Sequence, residues 1–364
     1  MKDHFFALTV LMLLSLSLFG QNDRKDKAAV TYEEIYDEPY SVNKLFVQFQ
    51  PLYGELFVTN VNAGFGLEAS YYHQDKMDFR AHFRKSYGKG FYDFARDLAS
   101  KNSSMDNHAE VFNYFEVGAT YHVKDFEGSG KTRMVLYKNS YKGNKWASRV
   151  PLHAEVPCKI RKVYGVRLGA IVWNSATDLN RALEKQKLTN ADLKDSEGTS
   201  LPDTYRPIGV PDARLIPVSV FTNLASAGGY IGGSMSWIKN VAVNFDKFEE
   251  GIDDAMITAY FDILFAPSIK VDDVVYTDKG YDENGDPSAT FGQTRTYSVD
   301  AVKTKTIGFR LGLDGKFNRT LSWAYGGEFG YRPSIAGSGF YALLKISFPV
   351  FGTNLDYKVE SFGK

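Results

Sequence analysis

The sequence predicts an all-β chain closed into a transmembrane antiparallel up-and-down β-barrel of about 14 strands, with about 12 and 16 as the near alternatives. Three observations point there. Apolar residues alternate with glycine and charge in segments of about ten residues, the length a tilted strand needs to cross a bilayer. Aromatic residues gather near the ends of those segments, in a chain that holds 23 Tyr and 27 Phe beside 32 Gly. The mean hydropathy is negative. That excludes a bundle of apolar helices but suits a barrel, where only alternate residues meet lipid.

The alternation is clearest near the C-terminus. Ile307, Phe309, Leu311, Leu313 and Phe317 alternate with Gly308, Arg310, Gly312, Asp314 and Lys316. A period of two puts each set on its own face of a strand. After Asn318-Arg319-Thr320 the pattern resumes with Leu321, Trp323, Tyr325, Gly327, Phe329 and Tyr331, then again with Phe340, Ala342, Leu344, Ile346 and Phe348.

Residues 1–20 carry Lys2, His4 and the apolar run Phe5 to Phe19, which predicts a cleaved signal peptide. Residues 21–44 form a polar segment expected in the periplasm, the barrel is expected over 45–349, and 350–364 is expected as a C-terminal periplasmic tail. Within the N-terminal segment, Tyr32, Tyr36 and Tyr40 interleave with Glu33, Glu34, Asp37 and Glu38, a pattern suited to docking on a partner or plugging the barrel. Cys158 is the only cysteine, so no internal disulfide can form. Lys plus Arg and Asp plus Glu both count 43, which gives no reason to expect nucleic acid as a partner.

The expected strands follow in order. Leu45–Gln50 is stopped by Pro51. The stretch from Leu56 to Tyr71 turns at His73–Lys76 and returns through Met77 to Arg84. Phe115 to Val123 turns at Asp125–Gly130 and returns over Arg133–Tyr137. Further strands are expected over Arg149–Val156 and Tyr164–Val172, then over Leu215–Thr222 and Tyr230–Ile238 with a small-residue turn at Ala225–Gly229. Met256–Phe265 and Val274–Thr277 precede the final three. A helical turn is expected at Asp93–Ala99, and LNRALEKQKL, which starts at Leu179, is expected as a short helix over the barrel mouth. Short turns near 73, 126, 158, 225, 270 and 319 alternate with longer polar loops, the asymmetry of an outer-membrane barrel. A soluble antiparallel sandwich is the competing fold.

Few residues carry chemistry. Gly128-Ser129-Gly130-Lys131-Thr132 lacks the first glycine of a phosphate loop and reads as a hairpin turn. In Asp282–Asp286 the glycine falls at the wrong distance from an aspartate for an EF-hand, so a solvated loop is expected. His82 and His122 share the polar face, yet no G-x-S-x-G elbow accompanies them. No catalytic residue, metal site or cofactor is expected. The telling set is the charge on the inward face: Glu68, Arg80, Arg84, Glu116, His122, Arg167, Arg310, Asp314 and Glu328. Buried charges persist when paired or wet, so the lumen is expected to be water-filled or crossed by salt bridges.

The signal ending LSLSLFGQ, the tyrosine- and glycine-rich strands and the closing GFYALLKISFPVF resemble outer-membrane β-barrel proteins of the Bacteroidota, porin-like in build. The resemblance implies residence in the cell outer membrane, with lipid as the immediate partner. The leading expectation is a non-enzymatic accessory or structural subunit of an outer-membrane assembly, in contact with other outer-membrane or periplasmic proteins. A passive diffusion channel for small or hydrophobic solutes is the alternative, and a barrel lipid hydrolase is the third.

Overall fold

A computed structural model describes residues 31–57, 61–73, 76–87, 104–136, 152–207, 215–246, 250–282, 284–318 and 323–353. The signal peptide, the helical turn expected at Asp93–Ala99 and most of the C-terminal tail lie outside the described residues. Ten strands form one closed barrel. In chain order they are β1 (Leu45–Phe57), β2 (Val61–His73), β3 (Met77–Ser86), β4 (Asn113–Leu136) and β5 (Leu152–Asp178), followed by β6 (Phe221–Ile238), β7 (Ala255–Val271), β8 (Ile307–Phe317), β9 (Ala324–Tyr331) and β10 (Phe340–Thr353). Each pairs antiparallel with the next, and β10 pairs with β1 to close the wall. The fold is therefore an up-and-down barrel without a free wall edge, as expected.

The strand count is ten rather than fourteen, and glycine is the main reason. Gly128-Ser129-Gly130 is no hairpin turn; it lies inside β4, with Gly128 opposite Ile160 and Gly130 opposite Cys158. The expected turn near 158 is absorbed into β5 in the same ladder. Ala225–Gly229 likewise lies inside β6. A Cβ on Gly228 would sit 2.0 Å from the Phe265 carbonyl oxygen, so that glycine serves close strand approach instead of a turn. Val274–Thr277 pairs with Thr294–Tyr297 outside the barrel wall. Pro51 does not end β1, because the strand bulges between Gln50 and Tyr53 and continues.

An even count puts both ends of the wall on one side, here called the termini end. The other side carries the described parts of the long connections, 104–112, 179–207, 215–220, 272–282 and 284–306. Helix α1 (Leu179–Gln186) starts at Asp178, whose carboxylate accepts the Arg181 amide, and ends at Lys187 in the left-handed region. Leu179, Ala182 and Leu183 are buried in a cluster that runs from these loops down to Tyr114, Tyr230 and Tyr341 inside the barrel. Lys185 donates to the Gly337 carbonyl, and Gln186 to those of Lys303 and Ala336. The helix thus ties three connections into a cap.

Carboxylates pin the cap's turns. Burial would raise the Asp195 pKa, but hydrogen bonds from Arg295 and from the Thr199 and Glu197 amides hold it below the usual 3.8. At Asp278, burial is likewise outweighed by the hydroxyls of Thr290 and Ser288 and the Gly280 amide. The folded pKa values are depressed, so their stabilisation is present above 3.8 and lost as pH falls through the folded values. Pepsin cleavage mapped between pH 4 and pH 2 is expected to open 195–199 and 278–290 before any barrel strand. Cleavage of both regions at a constant rate across that range would contradict this.

At the termini end, β4 and β5 run on past β3, giving a hairpin with a contour of roughly 45 Å. Its Met134, Leu136, Val156 and Cys158 pack on Val241, Val243 and Phe245. Those last three belong to a small sheet in which Tyr32–Asp37 pairs with Val241–Phe245, and Val241–Phe245 with Gly251–Asp253. From Asp37 the chain crosses the barrel's lower mouth. Asn240 donates to the Glu38 and Ser41 carbonyls at 2.8 and 3.1 Å, and Asn318 donates to Ser41 at 2.7 Å and accepts the Asn43 amide at 2.8 Å. Asn318→Ala removes buried partners from this crossing and is expected to cost about 1–3 kcal/mol. Hydrogen exchange at residues 41–43 should rise, and unchanged exchange would contradict that role.

The outward faces are apolar. Ile307, Phe309, Leu311 and Leu313 on β8, Phe261, Ile263 and Phe265 on β7, and Val166 and Leu168 on β5 are all exposed. Among the described residues no helix is long and apolar enough to cross a membrane, which says nothing of crossing by strands.

Candidate functional site: the barrel lumen

Strand alternation that exposes the apolar rows turns the opposite rows inward. On β8, Gly308, Arg310 and Gly312 are buried between exposed apolar neighbours. Arg310 lies at the centre of the lumen and is 1 % exposed. Its guanidinium takes both oxygens of Glu116 at 2.6 and 2.8 Å and Asp262 at 2.7 Å, with Glu328 at 3.7 Å. Arg167 holds the other Asp262 oxygen at 3.0 Å. Tyr260 and Tyr341 donate to the two Glu328 oxygens at 2.9 and 2.5 Å, and Tyr114 donates to Glu116 at 2.7 Å. Five strands thus supply acids or bases to one knot of charge.

Glycines make room for the tyrosine rings. A Cβ on Gly312 would fall 2.2 Å from the Tyr260 ring, and Cβ atoms on Gly118 and Gly169 would reach Tyr230 at 2.0 and 2.5 Å. Arg167 sits 4.1 Å over Tyr260 and Arg310 sits 4.3 Å over Tyr230, so rings and cations stack across the lumen.

Two further knots lie on either side. Toward the loop end, Arg332 forks onto Glu55 at 2.9 and 3.1 Å. Arg84, fully buried, lies 4.0 Å over Tyr114 and 3.6 Å from Glu55, and none of its three nitrogens makes a hydrogen bond among the described residues. Toward the termini end, Lys345 bridges Glu68 at 2.8 Å and Asp314 at 3.0 Å, and Arg80 reaches Asp314 at 2.8 Å. Gln50 links Glu68 to His82 at 3.3 and 3.1 Å, and His122 faces Asp78 at 3.3 Å. Phe46, Val163, Ile238 and Met256 seal the bottom with Val42. Isolated buried charges cost several kcal/mol each, so such a set is stable only when interlocked.

Small cavities lie among these side chains. A cavity of about 20 Å³ lies between Arg310, Arg332, Trp173 and Tyr341, and another of about 20 Å³ between Glu68, Arg80, Asp314 and Lys345. Each has room for about one water.

All nine charged or ionisable residues singled out in the sequence as inward-facing lie in these knots. Glu55, Asp78, Asp262, Arg332 and Lys345 belong to them as well and were not singled out. Lys345 and Asp78 were legible from the alternation. Glu55 was hidden by the bulge after Pro51, Asp262 by the uniformly apolar look of β7, and Arg332 by its place just past β9. Of the proposed docking residues, Tyr32, Glu33, Glu34, Tyr36 and Asp37 lie in the edge strand of the small sheet. The carboxylate of Asp37 accepts the Lys159 amide at 2.8 Å, Glu38 accepts from Asn240, and Tyr40 lies under Arg161 at 4.5 Å. Among the described residues no group of three His, Cys, Asp or Glu could hold a metal ion.

No family model matches the chain, and no curated protein matches it. Among solved structures the CymD monoaromatic hydrocarbon channel is similar at 10% identity, with 87% of this chain and 93% of that chain covered and a TM-score of 0.24. At that score the likeness carries no argument about function.

Proposed function

We propose that the protein is a non-enzymatic barrel of the outer membrane whose lumen does not conduct, and that it serves as a structural or accessory subunit of a larger outer-membrane assembly. The observation that carries this reading is the lumen itself, in which the knots around Glu55, Arg310 and Lys345 join side chains across from strand to strand, with cavities of about 20 Å³ among them. The exposed apolar rows suit acyl chains, and the long-loop end then faces outward. The termini end offers a surface to partners, because Tyr32, Ile35 and Ile252 remain exposed on the small sheet.

A passive channel requires this network to part and the cap to lift. A hydrolase requires a serine at His82 or His122, whereas those side chains face Gln50 and Asp78. Native electrophoresis after mild solubilisation of the source membrane tests the subunit role. The chain is expected in a species well above the mass of one copy, which is 40.9 kDa with residues 1–20 included, and a monomer under every mild detergent would overturn the reading.

A further inference from the structure

Two arginines from different parts of the fold contest Glu55. Arg332 takes both of its oxygens, at 2.9 and 3.1 Å. Arg84 stands 3.6 Å away and makes no hydrogen bond among the described residues. A guanidinium buried in that state is costly, and a second arrangement in which Glu55 accepts from it would lower the cost. Glu55 and Arg84 stand on β1 and β3 of the wall. Arg332 opens the connection 332–339 between β9 and β10, which the cap holds from above. Ser334 and Ile335 pair with Lys305 and Thr304, and the Ala336 amide donates to the Lys303 carbonyl at 2.9 Å. Lys185 and Gln186 of α1 donate to the carbonyls of Gly337 and Ala336 at 2.7 and 3.1 Å. A displacement of α1 therefore pulls on the chain that carries Arg332 and leaves Glu55 and Arg84 in place.

The step that replaces Arg332 is short. A charge-assisted hydrogen bond to a carboxylate spans about 2.7–2.9 Å, so Arg84 has less than about 1 Å to close from its 3.6 Å. The Tyr114 ring, 4.0 Å from the guanidinium, offers a face along which it moves without losing its stacking. We propose that Glu55 is a switch between cap and lumen: Arg332 holds it while the connection 332–339 is docked under α1, and Arg84 takes it when that connection lifts. The carboxylate is paired in both arrangements, so the cap moves without orphaning a charge in the wall. Movement at the cap surface is thereby relayed to the inside of the barrel.

Two double-mutant cycles test the switch. The first combines Gln186→Ala, which loosens the connection from the cap side, with Arg84→Met, and the second combines Arg332→Met with Arg84→Met. Urea midpoints in zwitterionic micelles and hydrogen exchange at residues 333–339 are measured for every variant, and the boiling-dependent gel shift shows which barrels are folded. Gln186→Ala is expected to raise exchange at 333–339 severalfold with a midpoint close to wild type. Arg84→Met alone should lower the midpoint little, because Arg332 still holds Glu55. Each pair should lower it by more than the sum of its two single variants, and loss of the gel shift in a pair alone is the extreme of that result. Additive midpoints in both cycles, or unchanged exchange in Gln186→Ala, would overturn the proposal. So would a large loss from Arg84→Met alone, which would mean that Arg84 already carries Glu55 at rest. These readouts do not depend on whether the chain has a partner subunit.

Discussion

Arg310→Met is expected to destabilise the barrel by about 3–5 kcal/mol, the cost of leaving buried partners without their counter-charge. Methionine fills much of the arginine's volume, so the loss is one of charge more than of packing. Glu116, Asp262 and Glu328 all face the guanidinium inside the lumen, and Asp262 would retain only Arg167. Urea unfolding in zwitterionic micelles, followed by tryptophan emission, should show a lower midpoint at an unchanged slope. Adding Glu116→Gln to Arg310→Met should recover part of the loss, because one orphaned carboxylate is then neutral. A single variant within about 0.5 kcal/mol of wild type would show that water already carries these charges.

Gly312→Val is the second large effect, with an expected cost of about 3 kcal/mol or more from overpacking. The new Cβ would lie 2.2 Å from the Tyr260 ring, and that ring is pinned by its hydroxyl on Glu328 and by Arg167 over its face. Valine is otherwise a good strand residue, so propensity alone predicts the opposite sign. Gly54→Val is the control, since a Cβ there meets nothing within 4 Å. It should be neutral or slightly stabilising. Equal stability of the two variants would mean that Tyr260 is free to leave its seat.

The same glycines explain how far the sequence could be read. Alternation in β8, β9 and β10 exposed the two-faced strands directly, and the inward charges followed from it. Local glycine patterns misled, because Gly128-Ser129-Gly130 and Ala225–Gly229 have the composition of turns while serving as strand interiors. In β6 the need is set by a neighbour, the Phe265 carbonyl pressing on Gly228, and no local rule contains that contact. The mixed charge on the inward face was legible. Its pairing was not, since Arg310 and Glu116 stand 194 residues apart and meet only because the wall closes. Helix α1 was legible because Asp178 caps it and its apolar residues recur at helical spacing.

Single-channel recording in planar bilayers tests the central claim most directly. With the mature protein inserted at neutral pH and about 1 M salt, the proposed closure of the lumen by its charge knots predicts that long records stay at baseline. Steady, stepwise conductance from wild-type protein, reproducible across preparations and abolished by heat denaturation, would contradict a lumen closed by its own side chains.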